Sequence, residues 1–251
     1  MNWLNVNEYL HLQKVTLYPY FDNGQPPRRV SLNFVPSQRI AKPPAQQERS
    51  RRTEHSILQA ALKTLSDLGE DAITMASVSD RAGVSVGSIY RRFGDREGLL
   101  VAMTNEFATE FSRTIAKKLA AAPAEVVASP EGVISYATTV LARNFKRNSK
   151  AFGRLVLMGI SDPLIFAEGQ RASIEGGGLY VDFVMQIGGA IARSNRKQAV
   201  EYTYRMIYAM CTHRITQGGS LELGETLSWN RLISELIETN VAYLLSKPTT
   251  R

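Results

Sequence analysis

Cysteine is nearly absent from this chain: Cys211 is the single one among 251 residues. That excludes an intramolecular disulfide framework and fits a reducing compartment. Histidine is almost as scarce, and His11, His55 and His213 have no ligand-like spacing with cysteines or carboxylates. Cys211 and His213 stand two apart, so on a helix they face different ways and form no nucleophile–base pair. No glycine loop follows a strand as a phosphate cradle requires. These shortages argue against a helical enzyme, a cofactor and a bound metal. Long apolar runs are missing too. Arg154 interrupts the stretch FGRLVLMGI, so no bilayer span is expected. Nor does the N-terminus combine a charged start, an apolar stretch and a small-residue cleavage site. The expectation is a cytoplasmic protein with no membrane partner.

Proline thins out sharply along the chain. Six of the ten, Pro19, Pro26, Pro27, Pro36, Pro43 and Pro44, fall within residues 1–50. That region shows no sustained helical period and reads as an irregular, largely disordered extension, with AKPPAQQERSRR as a linker into the first helix. Its stretches VTLYPYF and RVSLNFV have strand composition, but two short strands build no core alone. Its aromatics, among them Trp3, Tyr9 and Phe34, are numerous for an inert tail. The net charge of +7 is unevenly spread. Residues 1–52 hold 8 basic and 3 acidic groups, residues 53–100 hold 5 and 7, and residues 101–251 hold 17 and 13. Clustering therefore matters more than the total. Arg49, Arg51 and Arg52 form one cluster, readable either as part of the solvated extension or as an arm entering a DNA minor groove.

What is present is most informative between Thr74 and Leu100, TMASVSDRAGVSVGSIYRRFGDREGLL. This stretch predicts two short helices joined by a tight turn and followed at once by a longer one. Ser79 is small where the two helices approach, and Gly83 sits where the first must end in a left-handed turn. Ile89 is the apolar plug between them. Thr74 and Ser85 are placed to N-cap the two helices through their hydroxyls. On a helical wheel Ile89 and Phe93 face the core with Ser85 nearby, whereas Gly87, Ser88 and Arg91 lie opposite. Val86 and Tyr90 flank one edge of that outer face and Arg92 the other. Guanidinium groups, a phenol, a hydroxyl and a glycine that admits close approach are groups that reach base edges and phosphates. The plainer alternative is a solvated basic face on an amphipathic helix. The capped turn before it favours a unit that projects its second helix into a major groove.

ILQAALKTLSDLGEDAIT (Ile57–Thr74), RAGVSVGSIYRRF (Arg81–Phe93) and DREGLL (Asp95–Leu100) together resemble the DNA-binding domain of the TetR family of bacterial regulators. Ser79 stands where the family usually has Ala, Arg96 where it has Lys, and Glu70 where an aromatic often follows the glycine ending helix one. The resemblance implies an all-α protein: an N-terminal three-helix helix-turn-helix domain, a C-terminal helical domain for ligand binding and dimerisation, and the irregular extension ahead of both. The boundaries are 1–50 for the extension, 51–100 for the DNA-binding domain with a linking helix to about residue 121, and 122–251 for the rest. Helix one is expected over Thr53–Leu68, stopped by Gly69, and the linking helix from an Asp95 N-cap, with Arg96 placed to hold a phosphate. The partners implied are an operator in double-stranded DNA, a second copy of the chain, and a small apolar or amphipathic ligand.

Beyond Pro123 the periodicity predicts helices over Pro130–Lys146, Ser149–Gly159, Pro163–Ser173, Leu179–Ala192, Gln198–Thr216 and Leu227–Leu245, with Gly176, Gly177 and Gly178 as a break. Asn195 with Gln198 suggests an N-capping pair. The last two helices carry broad apolar faces, such as Val200, Ile207 and Cys211 on one and Leu232, Leu236 and Leu244 on the other. An intramolecular core uses such faces; the resemblance implies pairing of these helices across a twofold axis. Phe107, Phe145, Phe152, Met158, Phe166, Tyr180 and Phe183 are candidates to line a ligand cavity, with ordinary core packing as the alternative for each. The competing function is a basic helical protein that coats DNA or an anionic membrane without sequence preference.

Overall fold

In the computed structural model, residues 44–218 and 227–247 are described, and every regular element among them is helical. The all-α expectation holds. The order is α1 (Pro44–Leu68), α2 (Met75–Ala82), α3 (Val86–Phe93), α4 (Arg96–Ala120), a one-turn α5 (Ala124–Val127), α6 (Pro130–Arg147), α7 (Ser149–Ser161), α8 (Pro163–Met185), α9 (Arg196–Gln217) and α10 (Trp229–Leu245). The strand-like stretches, the aromatics of the extension and the disorder expected there fall outside the described residues.

Helix α1 begins at Pro44, so the supposed linker from Pro44 to Arg52 and the boundary at residue 51 both fall inside it. Apolar spacing could not mark this start, because the side chains of residues 47–49, 51 and 52 face solvent. Local bonds hold it instead. Arg52 Nε pairs with Glu48 at 3.0 Å, and the Thr53 hydroxyl donates to Arg49 O at 2.9 Å. The far end stops at Gly69, whose φ of 104° suits glycine, and Arg154 of α7 donates to the carbonyl of Leu65 there. The arginine that breaks the apolar run therefore closes the C-terminal end of α1.

Two buried clusters organise the chain. One joins Ile57, Ala61 and Leu65 of α1 to Val78, Ile89, Leu99 and Met103. Leu155 and Met158 of α7 and Ile165 of α8 complete it, so the first four helices share their core with the helices that follow. The other cluster is built by α4, α6, α8, α9 and α10 around Ile134, Leu141, Phe145, Tyr180, Ile207 and Leu236. Buried polar groups tie it together: Asn240 Nδ2 donates to Thr138 Oγ1 at 3.2 Å, and the Tyr180 and Thr203 hydroxyls are 3.1 Å apart.

The glycine triplet does not break α8, which runs unbroken from Pro163 to Met185. Gly176 and Gly177 are buried, and a Cβ on Gly177 would stand 2.9 Å from Tyr204 Cε1 of α9. The glycines serve close helix packing rather than termination. Tyr204 is itself fixed by donating to Ser173 O at 2.7 Å. Gly178 is exposed with nothing within 4 Å of a built Cβ. Gly178→Ala is accordingly expected to stabilise by about 1 kcal/mol, from helix propensity alone. Gly177→Ala should instead destabilise, since overpacking costs about 1–3 kcal/mol. Thermal melts of the two variants check this, and equal shifts would contradict it. The helix expected over Leu179–Ala192 is the end of α8 and stops at Met185, with a short 3-10 turn over Gly188–Ala190 after it; elsewhere the expected elements recur with small offsets. Asn195 Oδ1 accepts from Gln198 N at 3.1 Å, and Gly218 ends α9 with φ 72°.

Candidate nucleic-acid interface

The unit formed by α2, the turn and α3 is built from local chemistry. Thr74 caps α2 as expected, and Ser77 completes a reciprocal box. Ser77 N donates to Thr74 Oγ1 and Thr74 N to Ser77 Oγ, both at 3.0 Å. Helix α2 ends at Gly83, with φ 66° and ψ 36°, so the left-handed turn read from the sequence is present. Ser79 is buried and does more than stay small: its hydroxyl donates to Val84 O across the turn. That bond is unavailable to the alanine usual at this place. Ile89 is fully buried and locks α3 against α2 and α4.

Ser85 occupies the N-cap of α3 in extended backbone, but its hydroxyl makes no capping bond. This corrects the expectation that it caps the helix. Its side chain lies on the exposed surface instead. Along α3, Val86 is 37% and Tyr90 51% exposed, and a Cβ on Gly87 would meet nothing within 4 Å. Arg91 is exposed, and among the described residues it has no hydrogen-bonding or ionic partner. Arg92 differs: its Nη1 donates back to Ser88 O at 3.1 Å and to Ser88 Oγ, which leaves Nε buried without a partner. The outer face of α3 thus presents one unengaged guanidinium and one tethered guanidinium beside a phenol and a valine. Thr74 is exposed at the start of α2.

Arg96 is placed differently from the phosphate role expected of it. Its Nε donates to Ile73 O at 2.9 Å, and Nη2 reaches Glu70 O at 3.1 Å and Glu70 Oε1 at 3.4 Å. The guanidinium buttresses the α1–α2 loop, and Glu70 supplies a carboxylate where an aromatic is usual. Asp95 caps α4 as expected, accepting from Gly98 N at 2.8 Å. Charged hydrogen bonds at a half-exposed site are worth about 1 kcal/mol after screening. Arg96→Ala should lower stability by that amount, measured by urea unfolding, and an unchanged midpoint would contradict the buttress. Arg51 and Arg52 lie exposed on the helical start of α1, with Arg49 beside them, so the irregular-arm geometry is corrected to a helix. Arg81 of α2 pairs with Asp67 of α1 at 3.0 Å, a tie that periodicity does not reveal.

The residues expected to line a ligand cavity scatter. Phe145 and Tyr180 are buried in the second cluster, with Phe152 and Phe183 packed partly against it. Met158 belongs to the first cluster, and Phe166 is 58% exposed. Only Phe107 of this set borders the groove of about 630 Å³ between α1, α4 and the α6–α7 corner. The inner faces of α9 and α10, including Val200, Ile207, Cys211, Leu232 and Leu244, are consumed by the chain's own core. Burial pushes the Cys211 thiol up to about 12, which keeps it protonated and unreactive at neutral pH. What α9 leaves outside in its middle turns includes Tyr202, Arg205, Ala209, Met210 and His213.

Residues 57–103 match the family described as bacterial regulatory proteins, tetR family. The chain is 33% identical over 148 residues to the HTH-type transcriptional repressor KstR of Mycobacterium tuberculosis. That match covers 59% of this chain and 61% of the relative, so the chain spans under two thirds of its length. The fold matches a protein of Mesorhizobium loti assigned to the TetR-family transcriptional regulators, with a TM-score of 0.63, 16% identity, and 79% of this chain and 99% of that one covered. It also matches a Rhodococcus protein of the same assignment, at TM-score 0.59 and 18% identity over 78% of this chain and 100% of the other. The motif and the capped turn with its buried isoleucine agree with the match of residues 57–103 to the tetR-family regulatory proteins, and the helical body behind them has the fold of these solved structures.

Proposed function

We propose that this chain is a cytoplasmic, sequence-specific DNA-binding transcriptional regulator without catalytic activity, a repressor released from a palindromic operator by a small-molecule ligand. The observation that carries this reading is α3 itself, a helix pinned from behind by buried Ile89 while Val86, Tyr90 and Arg91 stand exposed in front. Arg91 reads a base edge and Val86 touches a thymine methyl, while Gly87 lets the backbone approach a phosphate. The hydroxyls of Thr74, Ser85 and Ser88 and the tethered Arg92 bind backbone phosphates. Arg51 and Arg52 add positive charge from the exposed start of α1. Arg96 acts indirectly, by holding the loop ahead of α2 in place. The named repressor among the relatives supports the direction of control.

A single recognition helix reads too few bases for useful specificity, and two copies related by a twofold axis supply two half-sites. The outward stripe of α9, Tyr202, Met210 and His213, together with the outer side of α10, is the surface we assign to that pairing. Selection of bound duplexes from a random pool, with sedimentation of the free protein, tests the reading. The expected outcome is an inverted repeat and a two-chain mass. A monomer that prefers no duplex over scrambled competitor overturns it. A binder driven by charge alone would lose nearly all affinity as salt rises, while a specific one keeps much of its preference.

A further inference from the structure

The geometry points to a second binding site, in the groove between α1, α4 and the α6–α7 corner, that takes an organic monoanion with a flat apolar body. The inference rests on the ligand-responsive reading above and names the site and the chemistry. The groove holds about 630 Å³, within the range of sites that enclose drug-sized molecules. Its apolar side is formed by Phe107 and Phe111, both half-buried, with ring centroids 5.8 Å apart. That pair continues inward to Phe145, 5.1 Å from Phe111. An apolar plane laid on these rings gains burial and offset stacking.

Lys63 of α1 and Arg147 at the end of α6 supply the charge, and both line the groove. Both are exposed, and among the described residues neither has a hydrogen-bonding or ionic partner. The acidic side chain in the lining, Glu110, is already ion-paired with Arg113. His55 is likewise engaged, by Glu106 at 2.8 Å. Two unpaired cations against one neutralised carboxylate favour an anionic occupant, and one anionic group can accept from both. The adjoining start of α7 adds to this, because Asn148 makes no capping bond there and turns its amide to Asn144 O at 2.9 Å.

Position gives the site its consequence. Lys63 sits on the helix that carries the core behind α3, and Arg147 precedes α7, whose Leu155 and Met158 pack into that same core. An anion held by both cations draws α1 toward the α6–α7 corner and so alters the placement of α3 in each half of a dimer. Its effect on DNA equals the difference in its affinity for the two placements.

Naphthalene-2-sulfonate serves as the probe, and naphthalene-2-methanol as its neutral counterpart, in calorimetric titrations of the full chain without DNA. We expect one sulfonate per chain, binding weakened about tenfold by either Lys63→Gln or Arg147→Gln, as loss of a charge-assisted hydrogen bond predicts. The alcohol should bind at least about tenfold more weakly than the sulfonate for the same reason. Absence of binding, equal binding by the Lys63→Gln/Arg147→Gln double variant, or equal binding of the alcohol overturns the site. Saturating sulfonate should also lower affinity for the selected duplex, and an unchanged affinity overturns the coupling. These titrations do not depend on DNA recognition. If no duplex is ever selected the functional reading fails, while the site is still decided by the calorimetry.

Discussion

Replacing Arg91 with alanine should weaken binding to the preferred duplex by about 1–3 kcal/mol, and should do so unevenly across sequences. Affinity for duplexes altered at the base Arg91 reads should barely change, because nothing there remains to be lost. The fold gives a clean background for this test. Arg91 is exposed and bonded to no described residue, so its removal breaks no internal contact. Melting temperature should stay the same. Arg92→Ala supplies the contrast, since that side chain is tethered to Ser88 and assigned to a phosphate. Its loss should lower affinity by a similar factor for every sequence and reduce the salt dependence. Anisotropy titrations over a panel of single-base variants of the selected site distinguish the two. Equal losses on every duplex for Arg91→Ala would remove it from base reading.

The largest effect on the fold is expected at Ile89. Truncating a fully buried aliphatic side chain costs about 2–5 kcal/mol, through lost transfer energy and the cavity left behind. Ile89 is the one buried residue of the eight-residue α3, and the partly buried Phe93 at its end packs on the same cluster, so Ile89 is its main anchor. Ile89→Ala should therefore lower the denaturation midpoint and abolish sequence-specific binding together. Ile89→Val removes one methylene and should cost about 1 kcal/mol while leaving recognition in place. Because Leu155, Met158 and Ile165 share this core, the loss should be felt in global unfolding as well as in α3. Chemical denaturation followed by circular dichroism measures it. A change below about 1 kcal/mol for the alanine variant would show that α3 is held by something other than this plug.

The recognition unit was legible because nearly everything that forms it acts within a few residues. Thr74 with Ser77, Gly83 with its left-handed φ, Asp95 with Gly98, and Ile89 against its neighbours are governed by backbone angles and first-turn hydrogen bonds. Such terms leave marks in a short stretch of sequence. Ser85 shows the limit even there, since a good capping residue in the capping position does not cap. The seven residues offered for a ligand cavity were less legible, because large apolar side chains look alike whether they fill a core or line a void. Phe166 and Met158 prove the point from opposite sides, one exposed and the other deep in the first cluster.

Local chemistry in the chain was enough to establish an all-helical protein with a capped helix-turn-helix whose second helix offers Tyr90 and Arg91 outward. Tertiary packing alone decided three other things. It made Gly176 and Gly177 a seat for α9 rather than a break, because Tyr204 comes from another helix. It turned Arg96 and Arg154 inward to carbonyls of Glu70, Ile73 and Leu65, partners distant in sequence. It also brought Lys63 and Arg147 to one groove. The physical reason is common to all three: a backbone angle or a first-turn bond is chosen by near neighbours, whereas a contact between helices depends on where the rest of the chain has already gone.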